Sequence, residues 1–147
     1  MISGMYMGEV VRCVLAKMAQ EGLLFKGHIP PKMLVSYVID TSFVSKVESD
    51  SKNQNEKTRE ALTQLDIEDP SEEDCEYVKF ICKRVSTRAA HLVSAAVSTI
   101  LNKMQRPHTT VGVDGSVYRY HPHFHDLMEK KISELVHPEY KVSILPN

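Results

Sequence analysis

Between Thr109 and Tyr120 two runs of β-formers flank an Asp114-Gly115 pair. Thr109, Thr110, Val111 and Val113 stand on one side, and Val117, Tyr118 and Tyr120 on the other. Asp-Gly between such runs predicts a β-hairpin, because a type I′ turn needs positive φ at both central residues. A glycine-bearing turn also lets backbone N–H groups approach an anion closely. Ser116 adds a hydroxyl, and Arg119 a cation able to fork onto a phosphate. No P-loop pattern accompanies the turn, so the local chemistry also fits an ordinary surface hairpin.

A chain of 147 residues is near the size of one domain and long enough to bury a core. Its 42% hydrophobic and 25% charged residues are those of a soluble globular protein. A net charge of −1 argues against bulk binding to nucleic acid or an anionic membrane, so any anion site must be local. Cys13, Cys75 and Cys82 lack paired metal spacing and read as reduced thiols of a cytoplasmic protein. Cys75 and Cys82 lie about two helical turns apart, on one face, which predicts a buried or half-buried pair. Glu9, Arg12, Lys17 and Glu21 interrupt the N-terminal apolar stretch, which therefore reads neither as a signal peptide nor as a membrane span. The chain begins abruptly in helix-like sequence, a first hint of truncation.

Met7, Val11, Val14, Leu15 and Met18 recur at helical spacing, with Gly22 at the C′ position, predicting a helix over about 6–21. The helix N-terminus near Ser3-Gly4-Met5 can host a phosphate, although most such termini carry only a cap or water. Pro30-Pro31 opens a short helix through Met33 and Leu34, and Asp40-Thr41-Ser42 supplies N-caps for another running towards Glu48. Ser49 to Glu56 reads as a solvated loop, and Lys57 to Leu65 as a short helix. Ser71 caps a long helical stretch closed by Pro107, with an acidic residue three positions on. Val78, Ile81, Cys82 and Val85 form its first stripe; Leu92, Val93, Ala96, Val97, Ile100, Leu101 and Met104 form a denser second one. A bend or offset is expected near Ser86–Thr87, where hydroxyls compete for backbone groups. His121 or Pro122 starts a helix with Phe124, Met128, Ile132 and Leu135 on its apolar face, and Tyr140 to Leu145 reads as a strand beside the hairpin.

Other constellations are weaker. His121 and His125 can share a helix face, but no fourth ligand lies at a fitting spacing, so His121 reads as a cap with His123 and His125 exposed. The acidic run from Asp66 to Glu76 has no EF-hand spacing and reads as solvated charge at a helix start. Ser86-Thr87-Arg88 has no base placed beside it and no nucleophile elbow, so it reads as packing. No catalytic or metal set is complete within the chain.

Four stretches taken together resemble hexokinases, in places most closely the glucokinase type. MISGMYMGEVVR at the start resembles the segment that follows that family's sugar-binding glutamate. FVSKVESD at 43–50, VSTRAAH at 85–91 and TTVGVDGSVYRYHP at 109–122 follow in the family's order and spacing. The resemblance runs from Met1 to about Tyr140. It implies an α/β chain: a helix-rich fragment of the actin-like, ribonuclease-H-like large lobe, with a β-hairpin and a final strand. All of 1–147 then belongs to the large C-terminal domain.

The same resemblance implies ATP contacts, with Mg²⁺ arriving as part of the nucleotide substrate. Gly4 and Met5 lie near the nucleotide. Thr41, Ser42, Phe43, Val44 and Ser45 line the adenosine side, with Thr41 and Ser45 the best polar candidates. Gly115, Ser116, Val117, Tyr118, Arg119 and Tyr120 form the hairpin wall. Arg119 and Met5 each stand where the glucokinase type has lysine; other hexokinases have methionine at the latter position. By the resemblance, the small lobe, the catalytic aspartate and the sugar site precede Met1, and a final phosphate loop follows Leu145. The implied function is part of an ATP-dependent enzyme that phosphorylates glucose or another hexose at the 6-hydroxyl. The segment alone is expected to be inactive. A non-catalytic binding or regulatory module derived from a hexokinase is the alternative.

Overall fold

The computed structural model describes residues 2–146, except for the side chain of Pro146. The elements are α1 (Gly4–Gln20), two 3₁₀ turns (Phe25–Gly27 and Pro31–Leu34), α2 (Thr41–Glu48), α3 (Glu56–Thr63), α4 (Glu72–Met104), β1 (His108–Val113), α5 (Ser116–Tyr120), α6 (Phe124–Leu135) and β2 (Lys141–Pro146). The chain divides into two compact units, Ser3–Ser86 and Thr87 onward, with the boundary inside α4. The expected offset at Ser86–Thr87 does not split α4 into two elements; Ser86 Oγ donates to the Lys83 carbonyl at 3.1 Å.

In the first unit, local chemistry sets the helix limits. α1 ends in a Schellman arrangement, with Leu23 N–H donating to Met18 O and Gly22 N–H to Ala19 O, both at 2.9 Å; Gly22 takes φ +74°. Asp40 caps α2 by accepting from Phe43 N–H at 3.0 Å. At α4 the Ser71 hydroxyl accepts from Asp74 N–H at 3.0 Å, and Asp74 accepts from Ser71 N–H at 3.1 Å, a reciprocal capping box. Asp74 is buried, and its other oxygen accepts from Phe25 N–H at 2.9 Å. Burial acts to raise its pKa, but these hydrogen bonds outweigh it and hold the carboxyl below its ordinary value. The acidic run is therefore not all solvated charge. The polar loop before α3 is also more than solvent-facing chain, since Asp50 Oδ2 accepts from both the amide and the hydroxyl of Thr58, at 2.8 and 2.7 Å. Met7, Val11, Leu15, Phe43, Val44, Val47, Leu62, Cys75, Val78 and Cys82 share the buried core.

The second unit departs from the sequence reading. The expected β-hairpin is absent: β1 pairs in parallel with β2, His108 opposite Lys141 and Val111 opposite Ile144. The second half of the presumed hairpin is the short helix α5, entered through Gly115 at φ +144°. Burial of Tyr118 favours this outcome over the β-propensity of Val117, Tyr118 and Tyr120. The final strand is present and lies beside β1, as expected. α6 begins at Phe124, later than His121 or Pro122, and its buried residues are Phe124, Met128 and Ile132, while Leu135 is exposed. On the second half of α4, Ala89, Ala90, Ser94, Ser98 and Leu101 are buried, whereas Leu92, Ile100 and Met104 are exposed among the described residues.

Candidate functional site

In the first unit, the N-terminal ends of α1 and α2 meet. The Thr41 hydroxyl donates to the Gly4 carbonyl in a short hydrogen bond. Close approach depends on Gly8, because a Cβ there would lie 2.1 Å from the Ile39 carbonyl oxygen. The junction thus brings two helix N-termini, each with partial positive charge, to one place, with the Asp40 carboxylate already taking the Phe43 amide of α2. Neither first turn carries an acidic side chain, although Asp40 caps α2. Burial acts to raise the Asp40 pKa, but hydrogen bonds from Ser42 Oγ at 2.6 Å and the Phe43 amide prevail, and the carboxyl stays ionised below its ordinary value.

Of the residues named from sequence, Gly4, Met5 and Thr41 to Ser45 come together here. Met5 is 73% exposed, Ser42 is exposed, and Gly4, Thr41 and Ser45 are half-buried. Phe43 and Val44 are buried, which leaves their side chains in the core behind the junction. Gly115 to Tyr120 belong to the second unit and form a surface of their own. There Gly115, Ser116, Arg119 and Tyr120 are exposed, and Arg119 pairs with Asp114 at 3.1 Å. Tyr118 is buried, its ring 4.9 Å from that of His125. Burial, then the charge of Glu129, raises the Tyr118 pKa. His121 is buried, not merely a surface cap, and His123 N–H donates to its Nδ1 at 3.3 Å. Among the described residues, no group of three or more His, Cys, Asp or Glu is placed to hold a metal, and no helix is long and apolar enough to cross a membrane.

One feature escaped the sequence reading, which treated Glu9 and Arg12 only as charges interrupting an apolar stretch. They form a two-pronged ion pair, Arg12 Nη2 to Glu9 Oε1 at 2.6 Å and Arg12 Nε to Glu9 Oε2 at 2.8 Å. Glu9 Oε2 also accepts from Tyr37 N–H at 2.7 Å, and Arg12 Nη1 donates to the Met33 carbonyl at 2.9 Å. The Arg12 hydrogen bonds lower the Glu9 pKa to about 2, against the opposing effect of burial. The available signal was an acid and a base three apart, with Glu9 set between the core residues Met7 and Val11.

The family model described as Hexokinase matches residues 1–147. The chain belongs to the hexokinase family. It is 46% identical to rat hexokinase-1 over 151 residues, covering 99% of this chain and 16% of that protein. It is 44% identical to horse hexokinase-2 over 142 residues, covering 92% of this chain and 15% of the relative. A hexokinase from Schistosoma mansoni, complexed with glucose, superposes with a TM-score of 0.95 at 32% identity, over 99% of this chain and 33% of that one. This hexokinase chain therefore spans about a sixth of the length of the curated relatives it matches. The helix-rich architecture with a small parallel sheet is that of a portion of the actin-like fold.

Proposed function

We propose that this chain supplies part of the ATP-binding wall of a hexokinase that transfers a phosphoryl group from ATP to the 6-hydroxyl of glucose or another hexose. What most supports the reading is the α1–α2 junction, where Gly4 and Thr41 are joined in a chain with whole-length hexokinase similarity. The N-terminus of α1 offers N–H groups and partial positive charge to an anion, and Ser45 a hydroxyl, while the Thr41 and Ser42 hydroxyls, donated to the Gly4 carbonyl and the Asp40 carboxylate, have to turn to reach it. Phe43 and Val44 then act from behind, fixing α2 in the core. Gly115, Ser116, Arg119 and Tyr120 offer a separate set of candidate nucleotide contacts on α5 and its entry turn. Arg119, already paired with Asp114, would exchange that exposed partner for a phosphate or a ribose hydroxyl. Mg²⁺ enters with the nucleotide, bound to its phosphates.

On this reading the chain binds ATP weakly and turns nothing over alone, because none of the candidate site residues carries a carboxylate or imidazole to take the proton of the sugar hydroxyl. Calorimetry with ATP and Mg²⁺ should give a measurable heat of binding, reduced in Thr41→Val. An assay coupled to glucose 6-phosphate should stay at background. Turnover dependent on sugar and ATP contradicts the inactive-alone reading; absence of nucleotide binding contradicts the wall.

A further inference from the structure

The segment Met33–Tyr37 connects the second 3₁₀ turn to the approach of α2. It is weakly held by its own burial. Met33 is buried, but Leu34 is 64% exposed, Val35 58% and Tyr37 57%. Tyr37 also sits at φ +62°, a conformation that a non-glycine residue keeps only when its surroundings impose it. The Glu9–Arg12 fork grips this segment at both ends. The guanidinium donates to the Met33 carbonyl, and the carboxylate accepts from the Tyr37 amide. Two residues beyond Tyr37, the Ile39 carbonyl lies where only Gly8 leaves room, and Thr41 then bonds to Gly4. Gly4, Gly8 and Arg12 recur at four-residue spacing, so one face of α1 meets successive points of 33–41 at Thr41, Ile39 and Met33.

We infer that Glu9 and Arg12 are a positioning pair for the nucleotide wall: they hold 33–37 in register so that Thr41 and the N-terminus of α2 meet the N-terminus of α1. The role rests on the nucleotide reading above, and neither residue touches the nucleotide. The fork makes two hydrogen bonds within the ion pair and one from each partner to the backbone, with Cys13 Sγ beside it, accepting from Arg12 Nη2 and donating to Glu9 Oε1. Replacing either side chain leaves a backbone group at Met33 or Tyr37 without its partner. Without Glu9 the strained turn at Tyr37 loses the hydrogen bond that holds it, and without Arg12 the Glu9 carboxylate loses the cation that aims it at Tyr37.

The test compares residue-resolved amide hydrogen exchange and ATP–Mg²⁺ affinity in the full chain, in Glu9→Gln and in the milder Arg12→Lys. Exchange at Tyr37 and at 43–45 should quicken about tenfold, with Val78 and Cys82 in α4 unchanged, and affinity should fall by about the same factor. A uniform acceleration that includes α4 overturns the inference, because it marks a merely structural role. Unchanged exchange at 37–45 overturns it too, as does local loosening with unaltered affinity. An unmodified chain that ignores ATP fails the nucleotide reading and takes the pair's nucleotide role with it. The exchange data then decide separately whether the pair sets the segment.

Discussion

Glu9 shows how a single buried charge ties helix to loop. Its carboxyl sits at about 2 against an ordinary 4.5, because Arg12 and the Tyr37 amide favour the ionised form over the cost of burial. A depressed folded-state value means that the stabilisation is complete above the ordinary value and is lost as pH falls towards 2. Acid unfolding followed by circular dichroism should therefore show Glu9→Gln with a flatter profile, smaller by roughly 1–3 kcal/mol between pH about 5 and 2 once solvent screening of the pair is allowed for. Asp40 and Asp74 remain in both proteins, so the difference between the curves belongs to Glu9. Gly8 makes a steric claim at the same scale. A methyl there meets the Ile39 carbonyl at 2.1 Å, and the obstacle is backbone, which cannot rotate aside. Urea unfolding of Gly8→Ala should show a loss of about 1–3 kcal/mol. Neither effect was legible as a pattern: a glycine inside a helix and a charged pair three apart acquire meaning only from the carbonyls and amide that face them.

At the scale of elements, legibility followed locality. The ends of α1, α2 and α4 could be read because Gly22, Asp40 and Ser71–Asp74 close hydrogen bonds within a few residues of themselves. The final strand was also expected, though beside a hairpin and not as the parallel partner of β1. The hairpin failed because its decisive partner is distant: β1 finds its hydrogen bonds at 141–146, and α5 is fixed by burying Tyr118. Asp114-Gly115 and the β-formers around it are compatible with either outcome. The difference is measurable. Nuclear Overhauser contacts should link the Thr109 and Val142 strands, and Val111 with Ile144, in parallel register. Contacts of Val113 with Ser116 and of Val111 with Tyr118 across a two-residue turn would restore the hairpin. The second half of α4 misled for a related reason. Its spacing marks an apolar stripe, but in the described residues Ile100 stays 60% exposed, while Ser94 and Ser98 are buried. Ser94 is accommodated by donating to the Ala90 carbonyl at 2.8 Å.

Across the whole molecule, the family and its fold were legible from four short stretches, since order and spacing together carry more than any one motif. For the candidate site the resemblance supplied a list of residues but not their placement: Phe43 and Val44 face the core, and the residues of α5 were expected in a strand. Thiol chemistry tests the packing as a unit. Cys13 is exposed, whereas Cys75 and Cys82 are buried and burial raises both their pKa values. A disulfide reagent should modify Cys13 in the native chain and reach Cys75 and Cys82 only after denaturant is added. Rapid native modification of Cys82 would contradict the core described for the first unit.

The most direct test is an NMR titration of the isotopically labelled chain with ATP and Mg²⁺. Amide shifts should concentrate at Gly4, Met5, Thr41, Ser42, Ser45 and 115–120, and weaken in Thr41→Val. Shifts that are absent, or that gather elsewhere with these positions silent, would contradict the nucleotide wall.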